Sequence, residues 1–238
     1  MKKIVLLLFT VITCALSGIT AQNNQQFFDE ADALFDKYVS NGKVDYTAIK
    51  NDPTDLNSVL KLAEEVVVSP FSSEEYQAFW INAYNIFVIK GVIDNYPIKS
   101  PLDVEGFFKS VKYKASGTNV TLDELENKKL RGVFDEPRIH FVLVCGAKGC
   151  PPIISMAYRP KNLDSLLEQQ TRKALNDPKF IRVDGTKVEL SEIFKWYEED
   201  FVKGDSKVLE YINSFRKDKI PNDSKVSYYS YDWRLNSI

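Results

Sequence analysis

Histidine is almost absent from this chain and cysteine nearly so: one histidine, His140, and three cysteines in 238 residues. One of those cysteines, Cys14, lies in the apolar N-terminal run, which leaves Cys145 and Cys150 for any chemistry. A zinc site needs three or four ligands at set spacings, and one histidine without a Cys-x-x-Cys pair cannot supply them. The acidic residues show no EF-hand spacing either. No metal and no cofactor is therefore expected. The Gly-rich phosphate cradles and the Gly-x-Ser-x-Gly elbow of serine hydrolases are missing as well. An excess of basic charge is also lacking, with 31 Lys and Arg against 33 Asp and Glu and a formal net charge of −2. That balance argues against nucleic acid as a partner.

No apolar run is long enough to cross a bilayer comfortably, so no membrane span is expected. The longest, Ile4 to Leu16, follows Lys2 and Lys3 and precedes Ile19-Thr20-Ala21. That order of charged, apolar and small residues predicts a secretory signal peptide over residues 1–21, cleaved after Ala21. A lipoprotein is disfavoured, because Thr13 stands before Cys14 where a small residue is expected. The mature chain, Gln22 to Ile238, is thus expected to be periplasmic or secreted. Its length suits one core, and no linker, composition break or repeat divides it.

What is present is helical periodicity and aromatic residues, the latter 13% of the chain. Apolar spacing predicts helices over Gln25 to Ser40, Asp55 to Val67, Glu74 to Asn95, Leu122 to Arg131, Asn162 to Asn176, Ser191 to Phe201 and Ser206 to Phe215. The run from Glu74 to Asn95 is apolar on every face and belongs in the middle of a domain. Ser72 with Glu75, and Thr121 with Glu124, read as capping boxes. Hairpins are expected over Ser116-Gly117 and Asp184-Gly185, and a last strand over Val226 to Tyr231. The fold class expected is α+β, a single helix-rich domain around a small central β-sheet.

The chemistry is confined to Arg138–Pro152, RIHFVLVCGAKGCPP, which holds His140, Cys145 and Cys150. Its first half reads as a strand buried on both faces, with Arg138 and His140 on one side and Cys145 on the other. Cys150, followed by Pro151, is placed to cap a short helix through Ile154, where the helix terminus would favour the thiolate. A small disulfide loop between the cysteines, or plain burial of both, are the alternatives that would silence them. On the long apolar helix, Asn82 and Asn85 share a face, and buried amides need partners.

These stretches, with AFWINAYN (Ala78 to Asn85), TLDELENKKLR (Thr121 to Arg131), VDY (Val44 to Tyr46) and YDWRLN (Tyr231 to Asn236), resemble the family catalogued as "domain of unknown function 547". The resemblance runs from about Val44 to Asn236. It implies no established reaction. It does carry that family's glutamate onto Glu126, its histidine onto His140 and its cysteines onto Cys145 and Cys150. Members carry a second histidine after the glutamate, where this chain has Asn127, so a two-histidine site is not implied.

Two functions follow as expectations. The first is a thiol-dependent hydrolase or acyl transferase acting on an envelope substrate. Cys150 or Cys145 would be its nucleophile, His140 the base, and Glu126 or Asn82 the orienting group, with Asn85 and Arg138 in binding roles. The second is a peptide- or glycan-binding module in which the same residues form a polar core and Tyr228, Tyr229, Tyr231 and Trp233 make the contact surface.

Overall fold

The computed structural model describes residues 22–238, and the signal segment expected over 1–21 lies outside them. Helix α4, Ser73–Asn95, is the centre of the larger of two apolar clusters. Every residue from Tyr76 to Ile93 except Lys90 is buried, as an all-round apolar helix requires. Around it lie α1 (22–38), α2 (Tyr46–Asn51) and α3 (Thr54–Glu65). Phe27 of α1 meets Phe79 of α4 at 4.9 Å between ring centroids. The start of α4 is not the expected capping box. Ser72 makes no side-chain cap, and Glu75 instead accepts from the Asn24 amide at 3.1 Å, which ties α1 to α4.

Asn41-Gly42, beyond the end of α1, is the turn of a hairpin. Both residues have positive φ (51° and 76°), the conformation a two-residue hairpin demands. They join β1 (Val39–Ser40) to β2 (Lys43–Val44), so α1 ends two residues earlier than the expected Ser40. A second hairpin, β3 (Tyr113–Ala115) and β4 (Thr118–Val120), turns at Ser116-Gly117 as expected. The Thr121–Glu124 capping box is formed and opens α5 (Leu122–Glu124). The chain then widens into a π-helical stretch, Leu125–Arg131, closed by Gly132 N–H donating to the Asn127 carbonyl.

The apolar stretch after Pro137 is not a strand. Pro137 occupies the first position of a 3-10 helix, Pro137–Phe141, and Glu136 accepts from the Arg138 N–H at 3.2 Å to cap it. From Val142 to Val144 the backbone lies in no strand. Asn85 takes the place of a neighbouring strand: its amide donates to the Val142 carbonyl at 3.0 Å and accepts from Val144 N–H at 2.9 Å. A buried side-chain amide thus satisfies a buried backbone that a sheet would otherwise have to pair.

The smaller cluster gathers Phe141, Phe180, Phe194 and Phe201 around a three-stranded sheet. Helix α6 (Leu163–Leu175) leads to β5 (Ile181–Asp184), which pairs antiparallel with β6 (Lys187–Ser191) over Gly185-Thr186, one residue beyond the expected turn. The expected helix after Ser191 is broken at Tyr197 into α7 (Ile193–Trp196) and α8 (Glu198–Phe201), and α9 (Val208–Phe215) follows. Strand β7 (Lys225–Tyr229) returns parallel to β6. The fold is therefore α+β and helix-rich, as expected. Its β structure is shared among three small sheets, while α4 holds the middle of the larger cluster.

The last residues form a strap. Gly149 N–H and Lys148 N–H donate to the Asp232 and Arg234 carbonyls, Asn236 N–H donates to Gly146, and Val44 N–H donates to Asn236. Three stretches far apart in sequence, around Val44, Cys145–Cys150 and Tyr231–Asn236, meet at this point. Among the described residues, no helix is long and apolar enough to cross a membrane.

Candidate active site

The seam between the two apolar clusters opens into a cleft of about 410 Å³. Ile139 packs into the larger cluster and Phe141 into the smaller, so the 3-10 helix straddles the seam and delivers His140 to it. Cys150 packs against both. The cleft is lined by both thiols, His140, Glu126 and Asn127, and by aromatic walls that include Tyr84, Tyr197, Tyr231 and Trp233.

Cys145 and Cys150 are free thiols and share one hydroxyl. Tyr231 OH donates to Cys150 Sγ at 2.9 Å, and its oxygen lies 3.2 Å from Cys145 Sγ. Cys145 N–H also donates to Cys150 Sγ, at 3.0 Å. Gly146, at φ +81°, makes the turn after Cys145, and a Cβ there would lie 3.2 Å from Val88 and 3.3 Å from Pro101.

Electrostatics separates the two thiols. Burial alone would raise Cys150. Hydrogen bonds from the Cys145 thiol, the Tyr231 hydroxyl and backbone N–H groups outweigh it and hold Cys150 below an ordinary thiol. Burial, and then the neighbouring Cys150 sulfur, push Cys145 well up. The expected helix at Cys150 is absent, since residues 151–154 have no regular structure. The thiolate is favoured by donors aimed at its sulfur, and no helix terminus contributes.

His140 is 4% exposed, and its Nε2 lies 2.6 Å from Asp200 Oδ2. Its ring stacks on Tyr197 at 4.0 Å. Asp200 also accepts from Arg131 Nε at 2.6 Å and Nη2 at 3.0 Å, and Arg131 lies over the other ring partner, Tyr197, at 5.0 Å. Burial would raise the Asp200 carboxyl. The hydrogen bonds from His140 and Arg131 prevail and hold it far below the usual carboxylate range. The group that orients the imidazole is thus Asp200, where Glu126 or Asn82 was expected. No hydrogen bond joins His140 to either thiol among the described residues.

The other expected residues fall in different places. Glu126 lines the cleft beside Tyr197 and Tyr84 and is in no ion pair among the described residues. Asn127 lines it too and accepts from Arg131 Nη1 at 2.6 Å, so it buttresses the Arg131–Asp200 pair. Asn82 is fully buried and spent on the Tyr158 backbone and the Ala78 carbonyl. Asn85 fixes the approach to Cys145 from behind. Arg138 faces away, bridging Glu136 and Asp164 outside the cleft. Of the expected contact aromatics, Tyr231 and Trp233 line the cleft. Tyr228 and Tyr229 do not, and Tyr229 sits under Arg182 at 3.8 Å.

Asp200, Arg131, Tyr197 and Trp196 were missed as site residues. Trp196-Tyr197-Glu198-Glu199-Asp200 shows only a closing-helix pattern, and nothing local says that the helix breaks at Tyr197 to present three of these side chains. The signal for Arg131 was its place in the capped stretch from Thr121. A π-helix there moves Glu126 and Asn127 off the ordinary helical spacing, and such stretches recur at functional sites.

No match was found for this chain among curated proteins or solved structures. The stretches Val44 to Tyr46 and Tyr231 to Asn236 lie outside the one family match, which begins just before α4 and ends with α6. Over residues 68–175, which carry α4, the capped π-helical segment, His140 and both thiols, the chain resembles the family described as "Protein of unknown function, DUF547".

Proposed function

We propose that the cleft is the active site of an exported, thiol-dependent acyl-transfer enzyme, a hydrolase or transferase working on an amide or ester in the cell envelope. One observation carries this reading: Cys150 Sγ receives Cys145 N–H at 3.0 Å and Tyr231 OH at 2.9 Å, in a cleft also lined by His140, which Asp200 holds from outside the cleft. A thiol so surrounded is a better nucleophile at neutral pH than a free one. Cys150 passes its proton through one bridging water to His140 Nδ1, the ring nitrogen that Asp200 does not hold, and the thiolate adds to the carbonyl carbon. The C–O or C–N bond then breaks, and the leaving group takes the proton from the imidazolium. Water or a second acceptor attacks the resulting thioester and gives its proton back to His140. The thiolate departs and takes that proton back from the imidazolium, and the acid or the new acyl compound is released. Asp200 keeps the imidazole in one orientation through these transfers, and Arg131 holds Asp200. Cys145 and Tyr231 act on the sulfur as donors.

Incubation with p-nitrophenyl acetate tests this. The expected result is a burst of p-nitrophenol and an acetyl thioester on the Cys150 peptide, absent from Cys150→Ala and slowed in His140→Ala by roughly 10²- to 10⁴-fold, the usual share of general acid–base catalysis. Acylation of Cys145 alone, or of neither thiol, would reject the assignment and favour a binding module.

A further inference from the structure

The catalytic reading uses one edge of the cleft and leaves its mouth unexplained. There Trp196 and Trp233 stack at 5.9 Å with 28° between their planes, and Tyr231 closes the group at 5.0 Å from Trp196 and 4.8 Å from Trp233. Trp196 is 45% exposed, whereas Phe194, two residues before it, is wholly inside. The platform ends on the nucleophile, because the same Tyr231 that packs on both indoles donates to Cys150. The polar lining of the same cleft is mixed in character. Asp123 and Glu126 only accept hydrogen bonds when ionised, Lys109 only donates, and the Asn127 amide does both.

We propose that this mouth is a glycan subsite: a neutral pyranose ring lies with its C–H face on the exposed indole of Trp196, which Trp233 backs, and its hydroxyls toward Asp123, Lys109 and Asn127. Flat amphipathic rings suit aromatic faces, and hydroxyls, which both donate and accept, suit a wall of mixed donors and acceptors with little net charge. A peptide captured by strand addition needs an open sheet edge, and no residue of β1–β7 lines the cleft. The volume is that of a small-ligand site. Resting on the catalytic reading, this makes the substrate of Cys150 an acyl ester or amide carried on a sugar.

The chain supplies its own reporters. It has three tryptophans, two on the platform and the third, Trp80, buried in the larger cluster. Fluorescence of Cys150→Ala protein is titrated with chitotetraose and with cellotetraose, so that binding is read without chemistry. Saturable quenching by either at millimolar concentration or below is expected. In Cys150→Ala/Trp196→Ala, Trp233 still reports, and affinity should fall roughly five- to tenfold, the cost of one lost aromatic stacking partner. An unchanged affinity in that variant, the absence of saturation with both sugars, or saturation only by an aromatic tetrapeptide run in parallel would overturn the subsite. Acetylation of Cys150 by the p-nitrophenyl ester in protein that binds no sugar would fault the subsite alone. Sugar binding in protein whose thiols never acylate would fault the catalytic reading and leave the subsite standing.

Discussion

The two apolar clusters are built on different plans. The larger rests on one long helix whose every face is buried, and the smaller is pieced together from strands and helices of four to eight residues that bury one side each. A continuous helix needs little from its neighbours to hold its shape, whereas short elements are set by what they pack on. The cleft forms where the rigid cluster meets the assembled one. Its cysteine-bearing loop leans on α4 through Asn85, and its imidazole is oriented by Asp200 and Tyr197 from the other side. A site drawn from both clusters can exist only when both are folded and docked.

The largest expected effect bears on that dependence. Trp80→Ala in the larger cluster and Phe194→Ala in the smaller should each cost about 3–5 kcal/mol, as large-to-small core substitutions do. Each should lower one shared transition in a denaturant melt followed by far-UV circular dichroism. Two separated transitions in either variant would break the picture of docked clusters that fold together.

This asymmetry also decides how much could be read from the residues alone. The α4 helix, the Thr121–Glu124 cap and the Ser116-Gly117 hairpin were legible because the signal lies within a few residues of the structure it makes. The segment from Arg138 was misjudged as a strand because its β-branched run is paired by Asn85, a side chain 57 residues away at Val142, rather than by a neighbouring strand. The same non-locality hid Asp200, 60 residues from His140, behind an ordinary acidic helix pattern. Both thiols and His140 could be located by scarcity alone. Their arrangement could not, since Tyr231, which organises the sulfurs, lies 86 residues from Cys145.

A smaller effect sharpens the contribution of the assembled cluster. Tyr231→Phe removes the donor to Cys150 while keeping the ring against Trp196 and Trp233. Hydrogen bonds to charged groups are worth about 1.5–3 kcal/mol, so Cys150 alkylation by iodoacetamide at neutral pH should slow by about tenfold or more. A rate equal to wild type would show that the hydroxyl does not support the thiolate.

The smallest effect is in acid. Asp200 has a depressed pKa in the folded protein, so it contributes stability that is fully present above the usual carboxylate value of 3.8 and is lost as pH falls through that value toward the folded one. Wild type should lose stability over this range, measured as the urea midpoint against pH, more steeply than Asp200→Asn. Parallel curves would mean that Asp200 is no better placed in the folded chain than in the unfolded one.

In the proposed mechanism Cys150, and not Cys145, is the activated thiol. Iodoacetamide alkylation of the folded protein, read peptide by peptide across pH, measures both in one tube. The account predicts that Cys150 reacts first, with a rate that half-saturates below the value of 9.0 from which an ordinary thiol starts, while Cys145 labels slowly and only in base. Faster labelling of Cys145, or a Cys150 profile centred at or above that value, would contradict it.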